Sequence, residues 1–303
     1  MLTQKNIKNK KYGLSESIMG YVFALPWLLG LGIIFLYPLL SSVYYSMTNY
    51  NVNAWDYSFV WFRNFRFLLV VEDGFWNSTR DTVIFVLLAV PTNMFWAFLA
   101  ALFLSFKTKL IKLYRIMFFL PTLVTFMVVI ILWQWIFNPH MGPINSVLRM
   151  FGVPEESLPG WFTDDWARPA IVVMGWWSIG GVIIIMLASL LDVPAQLHEA
   201  ARIDGAGALR RMWKITLPMM APIIWFNALT GMIGAFQNFL PSYAVTGGEG
   251  GTSFLGYLVF DEGIGAGNWG FASAAGWLML FVILIFAVGM LLINKFFIHY
   301  TDD

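Results

Sequence analysis

An apolar stretch from Leu217 to Pro241 carries Asn227, Gly231, Gly234 and Asn238 at i, i+4, i+7 and i+11. That spacing puts all four on one stripe of a helix, with Thr230 and Gln237 beside it. Amides inside an apolar segment are costly unless they meet protein or water, so the stripe should face a bundle interior. Two kinds of chemistry fit. The glycines let another helix come close, and Asn227 can hydrogen-bond across the contact. Alternatively, the amides line a passage for a polar solute. The two readings weigh equally for the glycines, and passage is favoured for Gln237 and Asn238. A second apolar stretch holds Trp176, Trp177, Ser178, Gly180 and Gly181. Sugars present hydroxyls to amides and apolar ring faces to aromatics, so Trp beside Asn, Gln and Ser suits a carbohydrate. Against that, most of the chain's 15 Trp must serve as anchors at a membrane–water interface. Asn93, Gln134 and Ser273 are the polar groups offered by other apolar stretches.

The chemistry that is missing narrows the function as much. None of the apolar stretches contains Asp, Glu, Lys, Arg or His, the residues that ion-coupled carriers use to bind or relay an ion at membrane depth. Sodium sites made of backbone carbonyls keep that class open. No G-x-x-x-x-G-K-[ST] phosphate loop occurs, so this chain does not cradle ATP in that way. His140, His198 and His299 lie far apart and outside the apolar stretches, and read as loop or interface residues rather than metal ligands. Cys is absent, which excludes thiolate metal sites and cysteine nucleophiles. No catalytic constellation and no cofactor site is expected in this chain. Uphill transport would draw its energy from a partner.

The elements that position these residues follow from composition. Hydrophobic residues make up 59% of the 303 and charged ones 12%, against ~25% charged in an ordinary soluble domain. With a mean hydropathy of +0.71, the chain is an integral membrane protein. Six stretches free of ionisable side chains run over 19–47, 82–106, 116–137, 170–191, 217–241 and 271–294. Each reaches the ~20 residues a helix needs to cross the hydrocarbon core. The expected fold is therefore all-α, one transmembrane domain over 1–303 with six spans. Lys5, Lys8, Lys10 and Lys11 precede the first span, whose length exceeds the ~7–15 apolar residues of a signal peptide, so it reads as uncleaved. Of the 18 Lys and Arg, 13 fall on the side of both termini and five (Arg63, Arg66, Arg80, Arg149 and Arg168) on the other. The excess of Lys and Arg on cytoplasmic loops puts both termini, the loop at Lys109 and the loop at Glu199 in the cytoplasm. Net charge is +1, so there is no basic field for nucleic acid. Of the exterior loops, 138–169 reads as proline-rich with a short helix at Ile144–Phe151, and 245–270 as a glycine-turn segment.

The segment from Pro194 to Pro222, PAQLHEAARIDGAGALRRMWKITLPMMAP, is the most informative. Pro194 reads as a first-turn residue, Ala195–Asp204 as a short helix ended by Gly205 and Gly207, and Ala208–Thr216 as a second short helix. Glu199 can reach Arg202 at i+3, a pair worth ~0.2–0.5 kcal/mol when exposed. Physics alone favours a helix–turn–helix lying at the membrane surface. However, Glu199-Ala200-Ala201, three residues, Gly205, nine residues, then Ile215-x-Leu217-Pro218 resembles the EAA loop of ABC importer permeases without a gap. The version here is similar to that of sugar importers of the maltose, glycerol-3-phosphate and raffinose type. The resemblance continues through Trp176-Trp177, Phe236–Phe239, Thr246-Gly247-Gly248 and Gly270-Phe271-Ala272-Ser273-Ala274.

The resemblance implies a maltose-transporter-type permease fold working by alternating access. It assigns coupling to a cytoplasmic ATPase to Glu199, Ala200, Ala201, Asp204, Gly205, Leu217 and Pro218. Implied partners are a second, homologous permease subunit, two ABC ATPase subunits carrying ATP and Mg, an extracytoplasmic sugar-binding protein and the sugar itself. The setting is a bacterial or archaeal cytoplasmic membrane. Family members that bind sugar inside the membrane use the helices flanking the loop, which implies a substrate path over Trp176, Trp177, Ser178, Asn227, Gln237 and Asn238. Gly247-Gly248-Glu249-Gly250-Gly251 departs from the family's run of glycines ending in proline, and the large exterior insertion of the maltose-type first subunit is absent. Rival readings are an ABC permease for another small solute, or an ion-coupled carrier or channel.

Overall fold

A computed structural model describes residues 14–54, 57–106 and 108–297. Lys5, Lys8, Lys10, Lys11, Lys107, His299 and both chain termini lie outside the described residues. Among the described residues all regular elements are helical, and the only strand-like contact is an isolated bridge between Thr48 and Phe59. Helix α1 is built of Leu14–Gly30, Leu31–Leu36 and Tyr37–Ser46, and α2 of Arg63–Arg66 and Phe67–Val71. Then come α3 (Asp73–Ser105), α4 (Ile111–Phe119), α5 (Phe126–Ile136), α6 (Pro143–Met150), α7 (Ala167–Trp176), α8 (Gly180–Asp192) and α9 (Ala195–Ile203). The chain ends with α10 (Ala208–Phe236), α11 (Leu255–Phe260) and α12 (Trp269–Phe297).

Four helices are long and apolar enough to cross a membrane: Ile18–Ser46, Asp73–Ser105, Ala208–Phe236 and Trp269–Ile293. The other two expected spans are bent pairs. Residues 116–137 do not form one helix: Ile111–Leu123 and Phe126–Ile136 meet at 100°. Pro121 lies in a 3-10 turn, Leu120–Leu123, after which Val124 and Thr125 take extended backbone angles. Residues 170–191 are likewise broken, with α7 and α8 meeting at 52° across Trp177–Ile179.

The expected second short helix, Ala208–Thr216, is also corrected. It runs without a break into the fifth apolar stretch as the first turns of α10, through a π-helical turn at Met212–Thr216. Its cause is Pro218, which has no N–H and whose ring crowds the carbonyl four residues back. The wide turn, closed by Leu217 N–H to the Met212 carbonyl, takes up that strain. Pro38 sits two residues after an equivalent π turn, Leu31–Leu36, in α1.

Helix α3 is the hub of the core. At one end Phe85 and Ala89 meet Val129, Ile130 and Trp133 of α5 and Ile171 and Met174 of α7. Further along, Ala97 and Ala101 meet Ile183, Met186 and Leu187 of α8 and Met220 of α10. Alanines at i and i+4 let α8 approach the α3 backbone closely. By contrast α1 stays exposed from Ile18 to Leu40, with Phe23 80% and Ile34 77% accessible.

Candidate functional site

At the end of the bundle where α8 gives way to α10, α9 stands out from the core. Pro194 is the N-cap of α9, one residue earlier than a first-turn position. The helix ends in a Schellman motif: Gly205 N–H donates to the Arg202 carbonyl at 3.1 Å and Ala206 N–H to the Ala201 carbonyl at 2.8 Å. Gly205 takes the required left-handed conformation, φ +77°. Glu199, Ala200, Asp204 and Gly205 are exposed and Ala201 is half-buried. Glu199 and Arg202 form no ion pair among the described residues. The loop also exposes apolar side chains, with Ile203 87%, Leu209 67% and Trp213 63% accessible. Arg211 Nη1 donates to the His198 carbonyl at 3.3 Å and ties α10 back to α9. Leu217 and Pro218 lie inside α10, past the loop.

The polar stripe of α10 is only partly intact. Asn227 is buried, and its amide donates to the Ile223 carbonyl of its own helix at 2.8 Å. Gly231, Gly234 and Asn238 line a partly open cavity of ≈ 210 Å³ together with Gly175 and Asn93. The Asn93 side-chain oxygen is buried there without a hydrogen-bond partner. Helix α10 ends at Phe236, so Gln237 and Asn238 leave the helical register. Gln237 lines a different, largely apolar cavity of ≈ 600 Å³ with Ser42, Ser273 and Trp277. The structure thus places in separate cavities the two residues favoured together for the passage.

Trp176 and Trp177 stand at the bend between α7 and α8 and line a third cavity of ≈ 720 Å³ with Phe118, Pro121 and Gly180. The Trp176 indole donates to Thr92 Oγ1 at 3.2 Å and its ring lies 5.4 Å from that of Trp96. Trp177 meets Trp133 edge-on at 6.2 Å. Ser178 is half-buried within the bend. Gly180 touches the other bent pair: a Cβ on it would lie 2.6 Å from the Phe118 carbonyl oxygen. Gln134 spends its amide on the Ala244 carbonyl, 3.2 Å away.

Two features at the opposite end of the bundle escaped the sequence reading. Arg168 pairs with Asp81 at 2.7 Å and donates from Nε to the Gly251 carbonyl at 2.9 Å. It thereby binds the starts of α3 and α7 to the expected glycine turn, where Gly247, Gly248, Gly250 and Gly251 all have positive φ. That segment also contains α11, which the glycines had masked; the Leu255 N–H at its start donates to Thr82 Oγ1 at 2.8 Å. The second feature is a cavity of ≈ 570 Å³ between the 49–72 segment and the start of α12, lined by Glu72 and Glu262 among others. Its residues come from three distant segments, so no spacing announces it.

The chain matches the family described as "Binding-protein-dependent transport system inner membrane component" over residues 5–298. It is 30% identical to the probable ABC transporter permease protein YesP of Bacillus subtilis (strain 168), over 95% of this chain and 94% of that protein. Identity to the lactose transport system permease protein LacF of Rhizobium radiobacter is 32%, over 83% of each chain. The fold superposes with a TM-score of 0.77 on a chain of a bacterial alginate ABC transporter, solved with an alginate pentasaccharide-bound periplasmic protein. That likeness covers 91% of this chain and 93% of the other at 19% identity. An exposed helix closed by a left-handed glycine, long apolar helices and a match along nearly the whole chain agree on one conclusion. This protein belongs to the family of inner-membrane permease components of binding-protein-dependent transport systems, a multi-pass transport subunit rather than an enzyme.

Proposed function

We propose that this chain is a permease subunit of an ATP-driven oligosaccharide importer. It spans a bacterial or archaeal cytoplasmic membrane six times, each bent pair counting as one span, with both termini in the cytoplasm, as a single transmembrane domain. The observation that carries the reading is α9, an exposed helix with the EAA spacing, fixed in direction by Gly205, with Ile203 uncovered at its end and Leu209 and Trp213 uncovered beyond it. Exposed apolar side chains beside a helix with that spacing suit a surface that a partner covers. Glu199, Ala200, Ala201, Asp204 and Gly205 form the contact with a cytoplasmic ATPase. Leu217 and Pro218 act from within α10, joining that contact to the membrane helix. A second permease, two ATPases carrying ATP and Mg, and an extracytoplasmic binding protein complete the transporter. ATP hydrolysis belongs to the partner chains. The purified subunit alone should therefore hydrolyse no ATP above background, and hydrolysis should appear when the ATPase is added; steady turnover by the uncontaminated subunit would contradict this.

The saccharide reading draws on the lactose-permease relative and on the chemistry of the cavity lined by Asn93 and Asn238. Gly231, Gly234 and Asn238 face Asn93, whose unpartnered oxygen is an acceptor for a sugar hydroxyl. Trp176, Trp177 and Ser178 stand at the adjoining bend, and Asn227 holds the helix wall. Gln237, in its separate cavity, contributes least. Asn238→Leu is expected to cut uptake about tenfold, the loss of roughly one hydrogen bond to a buried polar group. Co-purification of the ATPase should stay normal, and unchanged uptake across sugar concentrations would make Asn238 a packing residue. Gln237→Leu should change uptake less.

A further inference from the structure

We propose that the cavity formed by Tyr50, Asn64, Glu72, Glu262, Asn268 and Phe271 is a second saccharide site, selective for uncharged over acidic sugars. It rests on the oligosaccharide reading above and deepens it by naming the charge class of the substrate. In the topology proposed there, the cavity opens at the extracytoplasmic end, where α1 finishes and α3 and α12 begin.

Its size of ≈ 570 Å³ is that of a small-molecule site, much larger than a single ion needs. Two walls are aromatic. Tyr50 is held by stacking on Tyr45 at 5.1 Å and by the edges of Tyr57 and Trp269 at 5.2 and 6.4 Å. Phe271 is held by Phe67 at 5.9 Å. Such rings offer fixed apolar faces to a pyranose or furanose ring. The remaining wall is polar and set in place by its own hydrogen bonds. Asn64 is 92% buried by its 8% accessibility, and its amide donates to the Ser46 and Thr48 carbonyls at 2.9 and 2.8 Å. Asn268 donates to Glu262 Oε2 at 3.0 Å and accepts from the Asn51 amide.

After these bonds are formed, what remains is mostly acceptor. Among the described residues the Glu72 carboxylate has no hydrogen-bond or ion-pair partner, and only one Glu262 side-chain oxygen is taken, by Asn268. Among the described residues no basic side chain lines the cavity. Both carboxyl groups line the same cavity, and burial together with the neighbouring Glu262 charge pushes the Glu72 carboxyl above its usual range. Hydroxyl donors satisfy such oxygens, and carboxylates accept them strongly. A uronate or phosphorylated sugar would bring a third negative charge into the same space and be repelled. A divalent cation is the less fitting occupant, because among the described residues no three His, Cys, Asp or Glu side chains converge.

The test uses the complete transporter in proteoliposomes, with binding protein, both permeases and the ATPases. Uptake is measured for neutral gluco-, xylo- and arabino-trisaccharides and for trigalacturonate. Import of none of them sinks the oligosaccharide reading itself. Import of trigalacturonate in preference to all the neutral sugars leaves that reading standing and overturns the second site. With the best neutral trisaccharide, Glu72→Ala/Glu262→Ala should raise the half-saturating concentration about tenfold while the ATPase still co-purifies. If that variant does not assemble, the near-isosteric Glu72→Gln/Glu262→Gln decides. Removing both charges should raise trigalacturonate uptake relative to the neutral sugar at least severalfold. An unchanged ratio, or an unchanged half-saturating concentration in the alanine variant, overturns the proposal.

Discussion

Gly205→Val is expected to leave the protein in the membrane at near-normal amount and to cost it most of its ATPase partner. The helix before this residue ends by a Schellman motif that needs a left-handed backbone at Gly205, φ +77°. Nothing lies within 4 Å of the place a Cβ would occupy, so the penalty is conformational and not a clash. A side chain in that conformation costs roughly 1–2 kcal/mol, more for a β-branched residue. The chain can escape by fraying α9, since little of that helix is buried, and the long apolar helices do not feel the change. A frayed α9 no longer presents Glu199, Ala200 and Ile203 on one rigid face. Glu199→Lys tests the same surface through charge, and at an exposed position its effect on stability stays within about 0.5 kcal/mol. Both variants should lose sugar uptake at least tenfold and release the ATPase on purification, with membrane abundance as the control. Normal uptake and co-purification in both would reduce α9 to a surface helix and remove the main support for the coupling role.

What could be read in advance, and what could not, follows from how far each signal reaches along the chain. The turn at Gly205 was legible because a helix end is local: glycine, its spacing from Glu199 and the hydrogen bonds it permits all lie within a few residues. The apolar helices were legible because length and the absence of charge suffice. The two bends were not. Pro121 sits in an unbroken apolar run, where proline can kink a helix or be absorbed by it, as Pro91 and Pro222 are absorbed in α3 and α10. The break at Trp177–Ile179 carries no proline at all. Helical spacing put Asn238 on the stripe and Gln237 beside it by extending α10 past Phe236, where Gly256 of α11 in fact approaches the Gln237 and Asn238 carbonyls. That contact belongs to the tertiary structure and leaves no mark on the spacing. The meeting of Glu72 with Glu262 is equally non-local, as is the reach of Arg168 to Asp81 and Gly251.

Where the two bent pairs meet, a single glycine allows their close approach, and its replacement should destabilise the bundle strongly. Gly180 is buried at the first turn of α8. A Cβ there would lie 2.6 Å from the Phe118 carbonyl oxygen, 2.7 Å from Thr122 Cγ2 and 3.1 Å from Phe119 Cα. Two of those three atoms are backbone and cannot turn aside as a flexible side chain would. The α4 end would have to move away from α8, opening the contact lined by Trp176, Trp177 and Pro121. Overpacking of this kind costs about 1–3 kcal/mol, and more where backbone must shift. Gly181, the next residue, has nothing within 4 Å of its Cβ position. There alanine should be neutral or should stabilise α8 by up to about 1 kcal/mol, the difference in helix propensity. Gly180→Ala should therefore lower the thermal midpoint and membrane abundance of the assembled transporter, with Gly180→Val more severe, while Gly181→Ala lowers neither. This loss differs from that of Gly205→Val, which spares abundance and removes coupling. Equal midpoints for the Gly180 and Gly181 alanine variants would mean that the two bends slide freely past each other. The tryptophans at the α7–α8 bend would then have no fixed wall to face across the cavity.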